Sequence, residues 1–385
     1  MNTFQFDTTK RIVNEVGGLS YCPSLCKDLG LNHAIIVSDK GISELGFVDE
    51  LARSLQNAGI STTIFDKTVA DPPESIVLEA AAIAIESGAD GVIGIGGGSS
   101  MDCAKLVSVL IKQEQSLSQM FGLNQITGPR APLILIPTTA GTGSEVTPIS
   151  IVTTGETTKA GIVSHHLLPD IALLDANLTL GLPAHITAAT GIDAMVHAIE
   201  AYTSKIKKNP YSDMLAKQAL LLLSSNIEKA VTDGRNLSVR QQMMFGACLA
   251  GQAFANAPVG GVHALAYPLG GHFHIPHGLS NALVLPHILR FNASHAASMY
   301  GELAEQIIPN VSASNSALTI SEHLAQYFEE LSKTCGLPTR LSELQITEND
   351  LNILASDAML QERLLVNNPK PLHFDDALKI YEQAY

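Results

Sequence analysis

The sequence predicts an α/β domain built on a parallel sheet over residues 1–180, followed by an all-α domain over residues 181–385. Three observations carry this reading. In the first half, apolar runs alternate with helix-prone runs, the pattern of strands covered on both faces. The strand-like runs stop after Leu182-Pro183, and the second half of the chain reads as helix. With 385 residues, 46% hydrophobic and only 16% charged, the chain is long and apolar enough for two packed cores.

Taken in order, residues 4–16 alternate apolar and polar side chains, which suggests short edge strands. A helix is expected over 20–29, a strand over 33–39, a helix over 48–58 and a strand over 61–66. Asp71-Pro72-Pro73-Glu74 reads as a turn and helix start, with the helix running to Ser87. Further strands are expected at 91–96, 133–139 and 171–175. Pro183 suits a helix N-terminus. Helices are then expected over 184–204, 212–231, 239–255, 317–335, 348–358 and 374–385.

Two stretches carry chemistry. The first is the glycine run Gly94-Ile95-Gly96-Gly97-Gly98-Ser99, which leaves a strand and enters a helix. Backbone N–H groups and the helix dipole at such a junction hold a pyrophosphate, and glycines let it approach the backbone. This makes the first domain Rossmann-like, although the G-x-G-x-x-G fingerprint is not matched and the run follows the third strand rather than the first. Asp39 ends its strand where an acid can bind a ribose hydroxyl and repel a 2′-phosphate, or can cap the next helix. The loop Thr138-Thr139-Ala140-Gly141-Thr142-Gly143-Ser144-Glu145 offers several hydroxyl donors at a strand end. Lys159 lies in a short polar segment further on.

The second stretch runs from Gly191 to Gly278. Asp193 and His197 are four residues apart in a helix-prone run, so both project from one face and could bind one metal ion. Such a pair alone is equally what a buried hydrogen-bonded couple gives. Composition adds weight: residues 263–277 hold four of the thirteen histidines, set among Gly, Pro and apolar residues, as a metal pocket requires. Asp193, His197, His263 and His277 would suit zinc or iron. Glu200, His272, His274 and Phe254 could support such a site or serve only the core and surface.

Composition narrows the partners. A net charge of -14 argues against nucleic acid or an anionic membrane. No apolar run reaches about 18 residues, and residues 1–11 carry no apolar signal-peptide segment. Five scattered cysteines, Cys22, Cys26, Cys103, Cys248 and Cys335, fit a reducing, cytoplasmic setting.

Together these motifs resemble the iron-containing (group III) alcohol dehydrogenases over nearly the whole chain. The resemblance rests on Gly96-Gly97-Gly98-Ser99 with Asp102 and Lys105, on residues 137–147, on Gly191-Ile192-Asp193-Ala194 with His197 and Glu200, and on His263 to Gly278. It implies one divalent metal, iron(II) or sometimes zinc, on Asp193, His197, His263 and His277. It implies NAD contacts from Gly97, Gly98, Ser99, Thr138, Thr139, Thr142 and Lys159, with Asp39 favouring NAD over NADP. A small alcohol or aldehyde substrate and a homodimer or larger homo-oligomer are implied as well.

The sequence departs from many relatives at two positions. Tyr267 stands where they carry a second histidine four residues after the one matching His263, which leaves Tyr267, His274 or water to handle the proton. Ile149 stands where some carry Asn, which suggests a less polar substrate. Within the same superfamily, a polyol dehydrogenase or a dehydroquinate-synthase-like lyase are alternatives, the lyase needing a basic cluster around the metal that is not evident. A nucleotide sensor would have no use for a Lewis acid.

Overall fold

The computed structural model describes residues 3–155, 158–309, 311 and 316–385. The chain forms two compact units: Asp7–Leu180, and Gly181–Tyr385 together with the N-terminal residues up to Phe6.

In the first unit the strands are β1 (Arg11–Asn14), β2 (His33–Asp39), β3 (Ser61–Thr68), β4 (Gly91–Gly96), β5 (Gly122–Leu123), β6 (Leu133–Pro137), β7 (Ile149–Thr154), β8 (Thr158–Val163) and β9 (Ile171–Leu174). Six of them form one sheet in the order β1-β9-β6-β4-β2-β3, every neighbour pair parallel. The helices are α1 (Cys22–Asp28), α2 (Lys40–Glu44), α3 (Phe47–Asn57), α4 (Glu74–Ser87) and α5 (Gly98–Leu110). Side-chain alternation explains the double cover. Ile35, Val37, Val92, Leu133 and Leu135 join a core with α4 and α5. Their strand neighbours Ala34, Ile36, Ile93, Ile134 and Ile136 join a second core with α1 and α3.

Strand β2 lies between β3 and β4, so the chain moves one way from β2 to β3 and then returns past β2 to β4. That reversal puts Asp39 and Gly96, the ends of β2 and β4, at the switch point where open α/β sheets bind ligands. The segment 4–16 contributes only β1. The antiparallel pair β7–β8, with β5 on its edge, is not expected from the sequence. Its threonines and Lys159 blur the apolar alternation, although Val152 and Ile162 do enter the core beside α5.

The second unit contains α6 (Ala184–Thr203), α7 (Pro210–Thr232), α8 (Leu237–Asn256), α9 (Gly261–Phe273), α10 (His277–Ile307), α11 (Ala317–Thr334), α12 (Leu351–Ala358), α13 (Glu362–Leu365) and α14 (Phe374–Ala384). Helix α6 is buried along almost its whole length after Ile186. Helices α9 and α10 are absent from the sequence expectation because Gly, Pro and His dominate 258–287. Pro268 and Pro286 nevertheless lie inside them.

One buried charge organises the first unit. The Lys105 ammonium on α5 is fully buried. It donates to Ser144 Oγ at 2.7 Å, Thr147 Oγ1 at 3.2 Å, Ile149 O at 2.6 Å and Asp102 Oδ1 at 3.3 Å. Asp102 in turn accepts from Ser144 Oγ and the Ile151 N–H. The loop after β6 is thereby tied to α5. Glu145, 2% exposed in that loop, feels the same interior. Burial pushes its carboxyl up to about 7, against the pull of its own backbone N–H and of Lys105.

The unfolded carboxyl releases its proton near 4.5, so between there and about 7 the folded chain holds the extra proton. Stability from this group therefore falls as pH rises through that window. Glu145→Gln, neutral at every pH, is expected to be more stable than the parent by roughly 3 kcal/mol at pH 8 and by almost nothing at pH 4.5. Urea unfolding at the two pH values checks this, and an equal difference at both would reject it.

Candidate metal centre and nucleotide cradle

The helical unit brings four side chains to one point. Asp193 and His197 come from α6, His263 from the first turn of α9 and His277 from the first residue of α10. Their ligand atoms all lie within 4.8 Å of one another. Two ligands on opposite sides of one cation with bonds of about 2.1 Å stand roughly 4 Å apart, so the set fits a single ion after a small contraction. Asp193 Oδ1 is 3.9 Å from His197 Nε2 and 3.6 Å from His277 Nε2. The rings of His197 and His263 stack at 4.8 Å between centroids, and those of His263 and His277 lie 5.2 Å apart.

Close helix packing makes this convergence possible. A methyl group at Gly278 would lie 2.3 Å from the Ala189 carbonyl oxygen and 3.2 Å from Asp193 Cβ. Only glycine lets the start of α10 press against α6 one turn before Asp193, which carries His277 to the carboxylate. Burial alone would push the Asp193 carboxyl up. His197, His277 and His263, with the Asn281 amide, outweigh it and hold the carboxyl below its usual range.

Glu200 lies two turns beyond Asp193 on α6, behind the cluster. One of its oxygens accepts from the Val262 N–H at 2.7 Å, and the other is 2.6 Å from His263 Nδ1. That contact places the proton on Nδ1 and leaves Nε2 as the lone-pair nitrogen, the arrangement that orients metal-binding histidines elsewhere. Phe254 stacks on His197 at 4.3 Å. Asp193, His197 and His263 are buried, whereas the His277 side chain is 32% exposed. The cluster is therefore closed except on the side of His277. Tyr267 stands there too, its ring 5.8 Å from His277 and 6.5 Å from His263. His274 is exposed and caps α9 in the left-handed conformation, outside the four-residue cluster. His272 pairs with Asp357.

In the sheet unit, Asp39, Lys40, Thr68, Gly97, Gly98 and Ser99 line a depression of about 460 Å³. Asp39 acts as the helix cap that a strand-ending acid can provide, and it also ties β2 to α5. Its Oδ1 caps α2 by accepting from the Ile42 N–H at 3.1 Å, and its Oδ2 accepts from Ser100 Oγ at 3.2 Å. Gly96 has φ +149°, and a methyl there would meet Ser100 Oγ at 2.7 Å and Asp39 Oδ2 at 3.2 Å, so the glycine keeps the ends of β2 and β4 together. Thr142 lies against Gly98, 2.9 Å from where a methyl would stand. The Thr138 N–H donates to Gly96 O, and Thr139 is next in the same loop. Lys159 Nζ donates to Asp71 at 2.8 Å, and the Asp71 N–H donates to Ser99 Oγ.

Sequence reasoning passes over Asn281, which touches three of the four ligand residues. Its signal is spacing: it lies four residues after His277, as His197 does after Asp193.

Residues 9–176 match the iron-containing alcohol dehydrogenase family, and residues 187–385 match the C-terminal part of the Fe-containing alcohol dehydrogenase family. The chain is 40% identical over 375 residues to the long-chain-alcohol dehydrogenase 1 of Geobacillus thermodenitrificans, covering 96% of this chain and 93% of that protein. It is 36% identical over 390 residues to the 1,3-propanediol dehydrogenase of Klebsiella pneumoniae, covering 100% of each. Among solved structures, a 1,3-propanediol oxidoreductase matches with a TM-score of 0.96 at 36% identity over 100% of both chains. A sulfoacetaldehyde reductase of Bifidobacterium kashiwanohense, solved in complex with NAD+, matches with a TM-score of 0.89 at 28% identity over 100% of this chain and 99% of that one. Matched in both halves of its sequence and across its fold, the chain belongs to the iron-containing alcohol dehydrogenase family and is an oxidoreductase.

Proposed function

We propose that this protein interconverts a small, short-chain alcohol and its aldehyde with NAD as hydride carrier and one divalent metal, iron(II) or alternatively zinc. The observation that carries this reading is a cluster of one carboxylate and three imidazoles, buried on every side except at His277. A structural zinc site is closed and more often uses cysteine, whereas one open side admits a substrate oxygen.

Asp193, His197, His263 and His277 would hold the metal, and Asp39, Gly97, Gly98, Ser99, Thr138, Thr139, Thr142 and Lys159 the dinucleotide. When bound, the metal supplies Lewis-acid polarisation of the alcohol or carbonyl oxygen, and NAD accepts or returns the hydride. The remaining work falls to the chain. Glu200 fixes the ring of His263. Phe254, stacked on His197, keeps one wall of the site apolar, which favours an alkyl substrate over a polyol. Alcohol oxidation also releases a proton, and Tyr267 is the hydroxyl-bearing side chain beside the open ligand; His274 is the less well-placed candidate. Asp39 favours the free ribose hydroxyls of NAD over a 2′-phosphate. A homodimer in a reducing cytoplasm fits the family and the five buried, unbridged cysteines.

Anaerobically purified protein stripped of metal is expected to oxidise NADH with short-chain aldehydes only after iron(II) or zinc is restored. His263→Ala and His277→Ala should each lower that rate at least about a hundredfold. Folded, metal-loaded protein that binds NADH yet turns over no alcohol or aldehyde would overturn the reading in favour of a lyase or a sensor. Replacing Asp39 by Gly should move the NADP-to-NAD ratio of kcat/KM about tenfold towards NADP, and an unmoved ratio would remove Asp39 from cofactor selection. Glu200→Gln is expected to weaken metal binding by about 10–100-fold; chelator competition checks this, and parental affinity would show that the contact with His263 Nδ1 is dispensable.

A further inference from the structure

We propose that Asn281 is a positioning residue of the metal centre, setting the spacing of the Asp193, His263 and His277 ligand atoms and so the affinity for a divalent cation. The proposal rests on the metal-centre reading and adds a residue to it. Asn281 lies one helical turn beyond His277 on α10 and is wholly buried. Its Nδ2 donates to Asp193 Oδ1 at 2.6 Å and is 3.3 Å from Nε2 of both His263 and His277. One amide thus meets ligand atoms from α6, α9 and α10.

The residue type suits the task. Two N–H groups reach more than one partner, and the amide carries no charge to compete with a cation. A serine would reach one partner, a leucine none, and a lysine would bring its own positive charge. The orientation of the amide is set by its surroundings: turned by half a rotation, it would put an oxygen against the Asp193 carboxylate. The consequence is visible at the other end, where Asn281 Oδ1 is buried with no hydrogen-bond partner among the described residues. A native fold keeps such an orphan where something else fixes the group. Here the fixed end is the N–H end, facing the ligand set. Glu200 holds His263 at Nδ1, while the Asn281 amide lies beside its Nε2, the nitrogen whose lone pair a metal would take.

Metal-free wild type, Asn281→Ala and Asn281→Asp would be titrated with cobalt(II) and zinc(II) against a chromophoric chelator. Visible absorption of the cobalt form and thermal melting would be recorded alongside. Asn281→Ala is expected to keep its far-ultraviolet circular dichroism, to bind about 10–100-fold more weakly and to show an altered cobalt spectrum, which a purely structural residue would not change. Asn281→Asp keeps the size but sets an oxygen against Asp193. Its metal-free Tm should fall, and its gain in Tm on adding zinc should exceed the wild-type gain. Asn281→Ala binding within twofold of wild type with the same cobalt spectrum overturns the proposal. So does an Asn281→Asp gain equal to the wild-type gain, and this second measurement decides the matter alone if the alanine variant does not fold. Wild-type protein that takes up no cobalt would overturn the metal-centre reading itself, and this proposal with it.

Discussion

Burying the Asp193 carboxylate is the act on which the helical unit depends. A carboxylate 2% exposed has lost nearly all its hydration, and an isolated one would sooner take up a proton than stay charged. It stays charged because donors and polarisable rings reach it from three helices. That requires α10 to touch α6, which in turn requires the missing side chain at Gly278. It also requires the turns before and after Asp193 to be narrow, and Ala189, Gly191 and Ala194 provide this. Gly191 serves the packing of α6 on α7 and α8, where a methyl would meet the side-chain ends of Ile227 and Met243 at 2.9 Å. The composition of α6, which looks merely bland, is therefore the steric condition for the site.

The sheet unit solves the same problem with the opposite sign. Lys105 has no exposed surface, and burial pulls its pKa down while Asp102 and Glu145 push it back up. Its hydrogen bonds fall on the loop after β6, so the charge fixes the hydroxyl-rich strand end. In both units a charged group inside the protein acts as a geometric reference. Its partners must come to it, because leaving it unpaired costs more than the ordering of a loop or helix end.

The same division decides how much of the molecule is legible in its sequence. The central strands β2, β4, β6 and β9 are legible because most of their buried residues show directly as apolar letters, and the switch point is marked by where Asp39 and the glycine run fall. Asp193 and His197 are legible because helical spacing is local. His263 and His277 can be proposed from composition and resemblance, but the reason they meet Asp193 is not local. It lies in the contact of Gly278 with the Ala189 carbonyl, 89 positions away in sequence. Helices α9 and α10 are hidden for a related reason. Their glycines and prolines lower helix propensity, while tertiary packing such as the Tyr381 hydroxyl on the Leu265 carbonyl holds them in place. The β7–β8 hairpin is hidden because Thr153, Thr154, Thr158 and Lys159 cluster at its turn and interrupt the apolar alternation. Asn281 is hidden because its one signal, the four-residue spacing from His277, matters only once α10 is known to be a helix.

Exposure divides the four candidate ligands in a way that separates binding from turnover. Three buried ligands gain rigidity from their surroundings: Glu200 on His263, Phe254 against His197, Asn281 on Asp193. The fourth, His277, is anchored through its backbone at the start of α10, yet 32% of its side chain faces out. A site built only to hold a metal would gain by covering that edge, since exclusion of water strengthens every contact inside. Leaving it open is unfavourable for storage and necessary for exchange of a substrate. The residue beside the opening is Tyr267. Its phenol hydroxyl can both donate and accept a hydrogen bond. A group that does both suits the relay of a proton to solvent. Under the proposed function, Tyr267 would thus bear on how the proton leaves the open side, separately from the four candidate ligands.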